Sequence, residues 1–104
     1  MNKKKLLSEI KSEINRDYPL AKVIFFGSRA RGSGEIFSDW DILILIEEGL
    51  SEKQKIAIHN RLYEMELKTG EIINAIIHTK EEWNNPLMQI TPFYENVTRE
   101  GISL

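Results

Sequence analysis

The stretch Phe25–Asp41 reads FFGSRARGSGEIFSDWD. An aromatic, strand-like run stops at Gly27-Ser28, meets two arginines and two further glycines, and closes on the aspartates Asp39 and Asp41. A glycine directly after a strand lets the backbone turn sharply and lets a ligand come close. The N–H groups of the turn that follows then form an anion site, with the Ser28 hydroxyl as an extra donor. The competing reading is an ordinary tight turn with a serine N-cap. The loop lacks the Gly-Lys-Ser/Thr of a P-loop, and its glycine spacing is not that of a dinucleotide fingerprint.

The aspartates sharpen the choice. Side chains alternate along a strand, so Asp39 and Asp41 are expected on one face. Two carboxylates that close repel each other unless a cation compensates. A hard divalent ion such as Mg²⁺ takes oxygen ligands and often bridges carboxylates to phosphate oxygens. Alone, Asp-x-Asp more often caps a turn and ends a strand. Placed after a phosphate-cradling turn, it completes what metal-assisted phosphoryl chemistry on a nucleoside triphosphate needs.

Outward from this stretch, the chain alternates helical and strand patterns. Leu7, Ile10 and Ile14 recur at helical spacing, predicting a helix over 3–17 that stops before Pro19, with Lys3, Lys4 and Lys5 as a solvated first turn. KVIFF over 22–26 and DILILI over 41–46 predict strands, the second apolar on both faces as a central strand should be. The loop from Gly27 to Ser38 starts, in this reading, with a helical turn at Arg29-Ala30-Arg31. Ser51 with Gln54 is a capping-box pattern and Gly70 a C-cap, so 52–69 reads as a helix with Ile58, Leu62 and Met65 on its inner face. A third strand is expected over 72–78, then a helix over 92–99 entered through Thr91-Pro92 and closed by Gly101. Ile102–Leu104 is a candidate short edge strand. The order, with no repeat or linker, is that of an α/β (α+β) domain occupying 1–104.

Composition sets limits on function. With 104 residues there is room for one modest core. A net charge of −2 speaks against a general polyanion binder but leaves a mononucleotide open, since a local arginine or a metal can meet its charge. The absence of cysteine excludes disulfides and thiolate metal sites. Ser8, Glu9 and Lys11 interrupt the N-terminal apolar residues too early for a signal peptide, and no apolar run is long enough to span a membrane. A cytoplasmic protein is expected.

GSRARG followed by SDWD resembles the G-S-x-A-R-G … S-D-x-D signature of minimal nucleotidyltransferase domains, the small branch of the DNA polymerase beta superfamily. The combination is specific, and the order of elements agrees over nearly the whole chain. The resemblance implies a mixed sheet of three core strands backed by helices, with the site at the sheet's edge. It implies that Gly27 and Ser28 hold the triphosphate of an NTP, ATP first among them, while Asp39 and Asp41 bind Mg²⁺. Arg29 and Arg31 match motif positions. Arg29 is assigned to phosphate, and Arg31 is read as structural, paired with Glu35 or another surface acid.

One family feature is missing. Catalytic members carry a third carboxylate on the next strand, which helps hold metal and serves as base. Here that position aligns with Asn74, whose carbonyl oxygen can ligate but cannot take a proton as a base does. Glu71 lies three residues away, an offset that points it to the opposite face. His78 has the right parity but sits about 13 Å further along the strand.

Two functions follow. One is an enzyme that transfers AMP from an NTP to a hydroxyl of a protein or small molecule. Members of this size pair with helical HEPN-type partners in toxin–antitoxin systems, which makes such a toxin the candidate partner. The other is a degenerate nucleotide-binding or partner-binding module that kept the fold and lost turnover. A template-directed polymerase is disfavoured, because no basic track for nucleic acid is present. Leu87, Met88, Phe93 and Tyr94 are read as packing on the sheet, with a docking face for a partner or second subunit as the alternative, and Trp83 is open to either reading. Trp40 either walls the nucleotide or covers the sheet face opposite the aspartates, the face to which its parity points.

Overall fold

A computed structural model describes residues 3–32, 39–47 and 49–104. The end of the expected loop, with Glu35 and Ser38, lies outside the described residues. The elements in chain order are α1 (Lys3–Asp17), β1 (Lys22–Phe26), α2 (Gly27–Ala30), β2 (Trp40–Ile46), α3 (Glu52–Thr69), β3 (Ile73–Thr79), α4 (Lys80–Trp83), α5 (Pro86–Gln89), α6 (Pro92–Glu100) and β4 (Ile102–Ser103).

Local chemistry sets the helix ends. The Ser51 hydroxyl accepts from Gln54 N–H at 3.1 Å while the Gln54 side chain accepts from Ser51 N–H at 2.9 Å, so two orphan donors of α3 are satisfied reciprocally. At its other end Gly70 takes the left-handed conformation, φ 75°, and donates to the Glu66 carbonyl. Thr91 caps α6 through Tyr94 N–H, with Pro92 in the first helical position. Gly101 closes α6 in extended backbone, for a different reason. A Cβ there would sit 2.7 Å from Ile24 Cγ2 and closer still to the Val97 carbonyl oxygen, so only glycine lets α6 hand over to the sheet.

The sheet has four strands in the order β3-β2-β1-β4, with β1 antiparallel to β2 and β4, and β2 parallel to β3. The three core strands expected from sequence are therefore joined by the edge strand at the C-terminal end, two residues long and extended by a Leu104 N–H to Val23 carbonyl bond of 2.9 Å. The parallel β2–β3 pair is possible because the intervening segment includes α3, the crossover such pairs require.

Helices cover both faces. On one, Leu6, Ile10 and Ile14 of α1 and Ile58, Leu62 and Met65 of α3 pack on Val23, Phe25, Trp40, Ile42, Ile44, Ile46 and Ile73. On the other, Leu43 and Leu45 meet Val97, with Ile24, Phe26, Ile76, Trp83 and Phe93 around them. Phe93 packs on this face as expected, Trp83 lies edge-on to it there, and the Tyr94 ring meets Trp83 at 4.7 Å. Leu87 departs from the expectation: in the single turn of α5 it is 74% exposed, because that turn runs along the surface. Among the described residues no helix is long and apolar enough to cross a membrane.

Candidate active site

The sequence puts a glycine after β1 and an aspartate near the start of β2, and antiparallel pairing makes them neighbours. Phe26 is in register with Asp41, so the first residue beyond β1, Gly27, turns directly over the Asp41 side chain. Its φ of 83° is one that other residues resist. A Cβ at this position would lie 3.0 Å from Asp41 Cγ and closer still to Oδ2. Glycine is needed here twice over, for the turn and for the room. Ser28 follows, half-buried, in α2, whose last turn closes with Arg31 N–H donating to the Gly27 carbonyl at 3.1 Å. The helical turn expected at Arg29–Arg31 thus begins two residues earlier.

Asp41 is held from a third segment as well. Parallel pairing sets Asp41 beside Asn74, and Asn74 Nδ2 donates to Asp41 Oδ1 at 3.0 Å. The position read from sequence as the substitute for a third carboxylate is therefore in register with the aspartate and bonded to it. The carboxylate has one oxygen toward Gly27 and the other on an amide donor. Asp39 is exposed, one residue before β2 begins. The three segments meet at one end of the sheet, where β1, β2 and the edge strand β3 lie side by side.

The back of the same strand end is organised by Trp40. It is 3% exposed and stacks on Phe25 at 5.6 Å between ring centroids. Its Nε1 donates to Glu71 Oε2 at 2.8 Å, and the same oxygen lies 3.6 Å from Arg29 Nη2. The Arg29 guanidinium sits over the Trp40 ring at 4.3 Å, within cation–π range. Trp40 therefore faces the α1–α3 layer, as parity required, and Glu71 serves that face rather than Asp41. Arg31 pairs with Glu100 of α6 at 2.9 Å, an acid the sequence did not single out. This bond and the neighbouring Arg99 hold the Glu100 carboxyl below its ordinary range. His78 is in register with Leu45, four residues beyond the Asp41–Asn74 pair, and its nearest acid is Glu82 at 3.8 Å.

The donor set suits a hard divalent cation. It offers the carboxylates of Asp39 and Asp41 and the carbonyl oxygen that Asn74 retains while its amide nitrogen is engaged. The Asp41 carboxylate packs directly over Gly27, in the space that a Cβ would fill. Among the described residues no three His, Asp or Glu side chains cluster to hold a metal.

Comparison with known proteins agrees with this layout. Residues 7–100 match the nucleotidyltransferase domain family. Two proteins of Methanocaldococcus jannaschii carrying the name "Putative protein adenylyltransferase" are similar to the chain. One is 34% identical over 103 residues, covering 97% of this chain and 96% of its own length. The other is 40% identical over 79 residues, covering 72% and 78% respectively. In three dimensions the chain is similar to one in a toxin–antitoxin crystal structure with AMP-PNP, at a TM-score of 0.58 and 18% identity, over 91% of this chain and 69% of that one. That likeness is one of fold.

Proposed function

Because the chain belongs to the nucleotidyltransferase domain family, as a minimal member, we propose that it binds ATP with Mg²⁺ and transfers AMP to a hydroxyl of a protein or small-molecule acceptor. The observation that carries this reading is the apposition of Gly27 and Asp41, which sets a phosphate-cradling turn against a metal-binding carboxylate with only a missing Cβ between them. Gly27 and Ser28 would hold the triphosphate through backbone N–H groups and the Ser28 hydroxyl, with Arg29 as the nearby cation. Asp39 and Asp41 would hold Mg²⁺, which when bound neutralises phosphate charge.

In the transfer, the acceptor oxygen attacks the α-phosphorus, the bond from that phosphorus to the bridging oxygen breaks, and pyrophosphate leaves. The hydroxyl proton needs a base. Asn74 cannot supply one, so the proton goes to solvent or to a group carried by the acceptor. The name shared by the two archaeal relatives favours a protein acceptor. The structural neighbour belongs to a toxin–antitoxin assembly, and together with the family resemblance this supports a partner protein, a HEPN-type helical toxin in our reading, with this domain as antitoxin.

A second reading has its own observation. The Asn74–Asp41 bond places an amide donor where a base would serve catalysis, which favours a degenerate module that binds nucleotide or partner without turnover. Calorimetric titration tests what both nucleotide readings share. The parent should bind ATP in Mg²⁺, and the Asp39→Ala/Asp41→Ala double variant should bind little while keeping its fold. Equal affinity in the two proteins sinks the metal-site assignment. Transfer of labelled AMP into a lysate of the source cells then separates enzyme from module.

A further inference from the structure

The two halves of the proposed nucleotide site sit on different segments. Gly27 and Ser28 belong to the β1–α2 turn, while Asp39 and Asp41 flank Trp40 at the start of β2. On the Asp41 side the Gly27 turn and Asn74 bring them together. On the reverse side one carboxylate oxygen does so: Glu71 Oε2 accepts from Trp40 Nε1 at 2.8 Å and lies 3.6 Å from Arg29 Nη2, whose guanidinium covers the Trp40 ring. Arg29 is the residue next to Ser28, and Trp40 is the residue between the two aspartates. Glu71 lies two residues before the strand that carries Asn74.

The geometry points to Glu71 as a positioning residue that fixes the phosphate-cradling turn relative to the carboxylate pair, an inference that rests on the nucleotide-site reading above. The cluster is well placed for this. Arg29 and Glu71 expose only 17% and 27% of their side chains, so the pair is shielded enough to hold a set geometry where a fully solvated pair would not. Arginine matters for its plane as well as its charge, since a flat guanidinium can cover an indole and meet a carboxylate at once, and a lysine ammonium cannot. Glu71 touches neither Asp41 nor Asn74 in this arrangement; it acts through Trp40 and Arg29.

The readout is the coupling between Mg²⁺ and ATP, taken as the ratio of ATP affinities with and without the metal. A rigid link between cradle and carboxylates makes each ligand organise the site for the other, and coupling of this kind commonly spans about 5- to 150-fold. Glu71→Gln keeps an acceptor for Trp40 Nε1 and loses the charge facing Arg29, so it should fold and lose coupling by about 10-fold. Arg29→Lys should reproduce that loss, and joining the two changes should add little. A lower melting temperature with coupling unchanged would overturn the inference, because Glu71 would then be structural only.

Hydrogen exchange keeps this test separate from the nucleotide reading. In Glu71→Gln the amides of Arg29–Gly32 should exchange faster while those of Leu43–Leu45 do not change. If the parent binds no ATP, the site reading fails and the exchange result alone decides the role of Glu71. Unchanged exchange at Arg29–Gly32 overturns it.

Discussion

The two faces of β2 differ in what their residues do. Trp40, Ile42, Ile44 and Ile46 are all buried against α1 and α3, none more than 4% exposed. On the other face Leu43 and Leu45 are equally dry under Val97, Phe93 and Trp83, but Asp41 ends the row half-buried with polar partners. One face is a uniform packing surface. The other changes from packing to chemistry within a single two-residue step. The dry face fixes where the strand lies, which lets the last position of the wet face carry a carboxylate within reach of Gly27 and Asn74.

The largest effect that sharpens this contrast is expected at Asn74. Its amide now donates to Asp41, and Asn74→Asp puts a carboxylate in nearly the same volume. If the missing base limits transfer, restoring it should raise labelled-AMP transfer by about 10²- to 10⁴-fold. Without metal the variant should be less stable than the parent, because a bond to Asp41 becomes a like-charge contact. With Mg²⁺ the difference should shrink. A parent already fast in transfer and indifferent to Asn74→Asp shows that the base comes from the acceptor.

A change on the dry face should do the reverse. Ile44 is fully buried in a central strand, and Ile44→Ala removes branched bulk that neighbours cannot fill. The cost should be about 2–5 kcal/mol, read as a fall of roughly 4–8 °C in melting temperature per kcal/mol. ATP affinity of the molecules still folded should stay near that of the parent. Loss of affinity on the scale of the Asp39/Asp41 variant breaks the contrast, since the faces would then be coupled through the strand.

Much of this was legible in local sequence, and the exceptions share a cause. The helices over 3–17 and 52–69 have the expected bounds, because Pro19, the Ser51–Gln54 box and Gly70 act within a few residues of their own ends. β2 and β3 start within a residue of the expected positions, since apolar runs mark strands well but mark their ends poorly. Thr79 and Glu82 form a second capping box whose pattern is open to view in HTKEEW over 78–83, though obscured by its place at a strand end. The Asn74–Asp41 alignment followed from the family pattern, and the parallel register supplies its physical basis. What sequence could not show is long-range pairing of charge: Arg31 finds Glu100 69 residues away, and Glu71 finds Trp40 and Arg29. The short edge strand expected over Ile102–Leu104 is present as β4 (Ile102–Ser103), and its antiparallel pairing with β1 is what tertiary context adds.

A smaller effect is expected at Ser28, which lies between the two faces in role. If its hydroxyl serves phosphate, Ser28→Ala should weaken ATP binding by roughly 1 kcal/mol, the net worth of one hydrogen bond. Melting temperature should hardly move. Ser28 lies within α2 and not at its N-cap, which is Phe26; an unchanged affinity with a lower melting temperature would make its role structural only, and the cradle would then rest on backbone N–H groups alone.

The smallest effect concerns the tether between α2 and α6. The Arg31 guanidinium donates to Glu100 at 2.9 Å, and this bond, ahead of the opposing desolvation and the added charge of Arg99, holds the Glu100 carboxyl below its ordinary value of 4.5. A carboxyl depressed in the folded state stabilises the fold fully above its unfolded value and loses that contribution as pH falls through the lower folded value. The difference in melting temperature between the parent and Arg31→Gln should therefore be constant from neutral pH down to about 5 and shrink at more acid pH. Added salt should shrink it too, since both side chains reach solvent. Arg99 Nη2 remains 3.5 Å from Glu100 in the variant, so part of the depression should persist. ATP affinity should follow neither change, because the tether holds the far end of α2 from Gly27. Parallel loss of affinity and stability on acidification in the parent, absent from Arg31→Gln, would instead make α6 part of the machinery that positions the site, and the wet face of the sheet would extend further than Asp41.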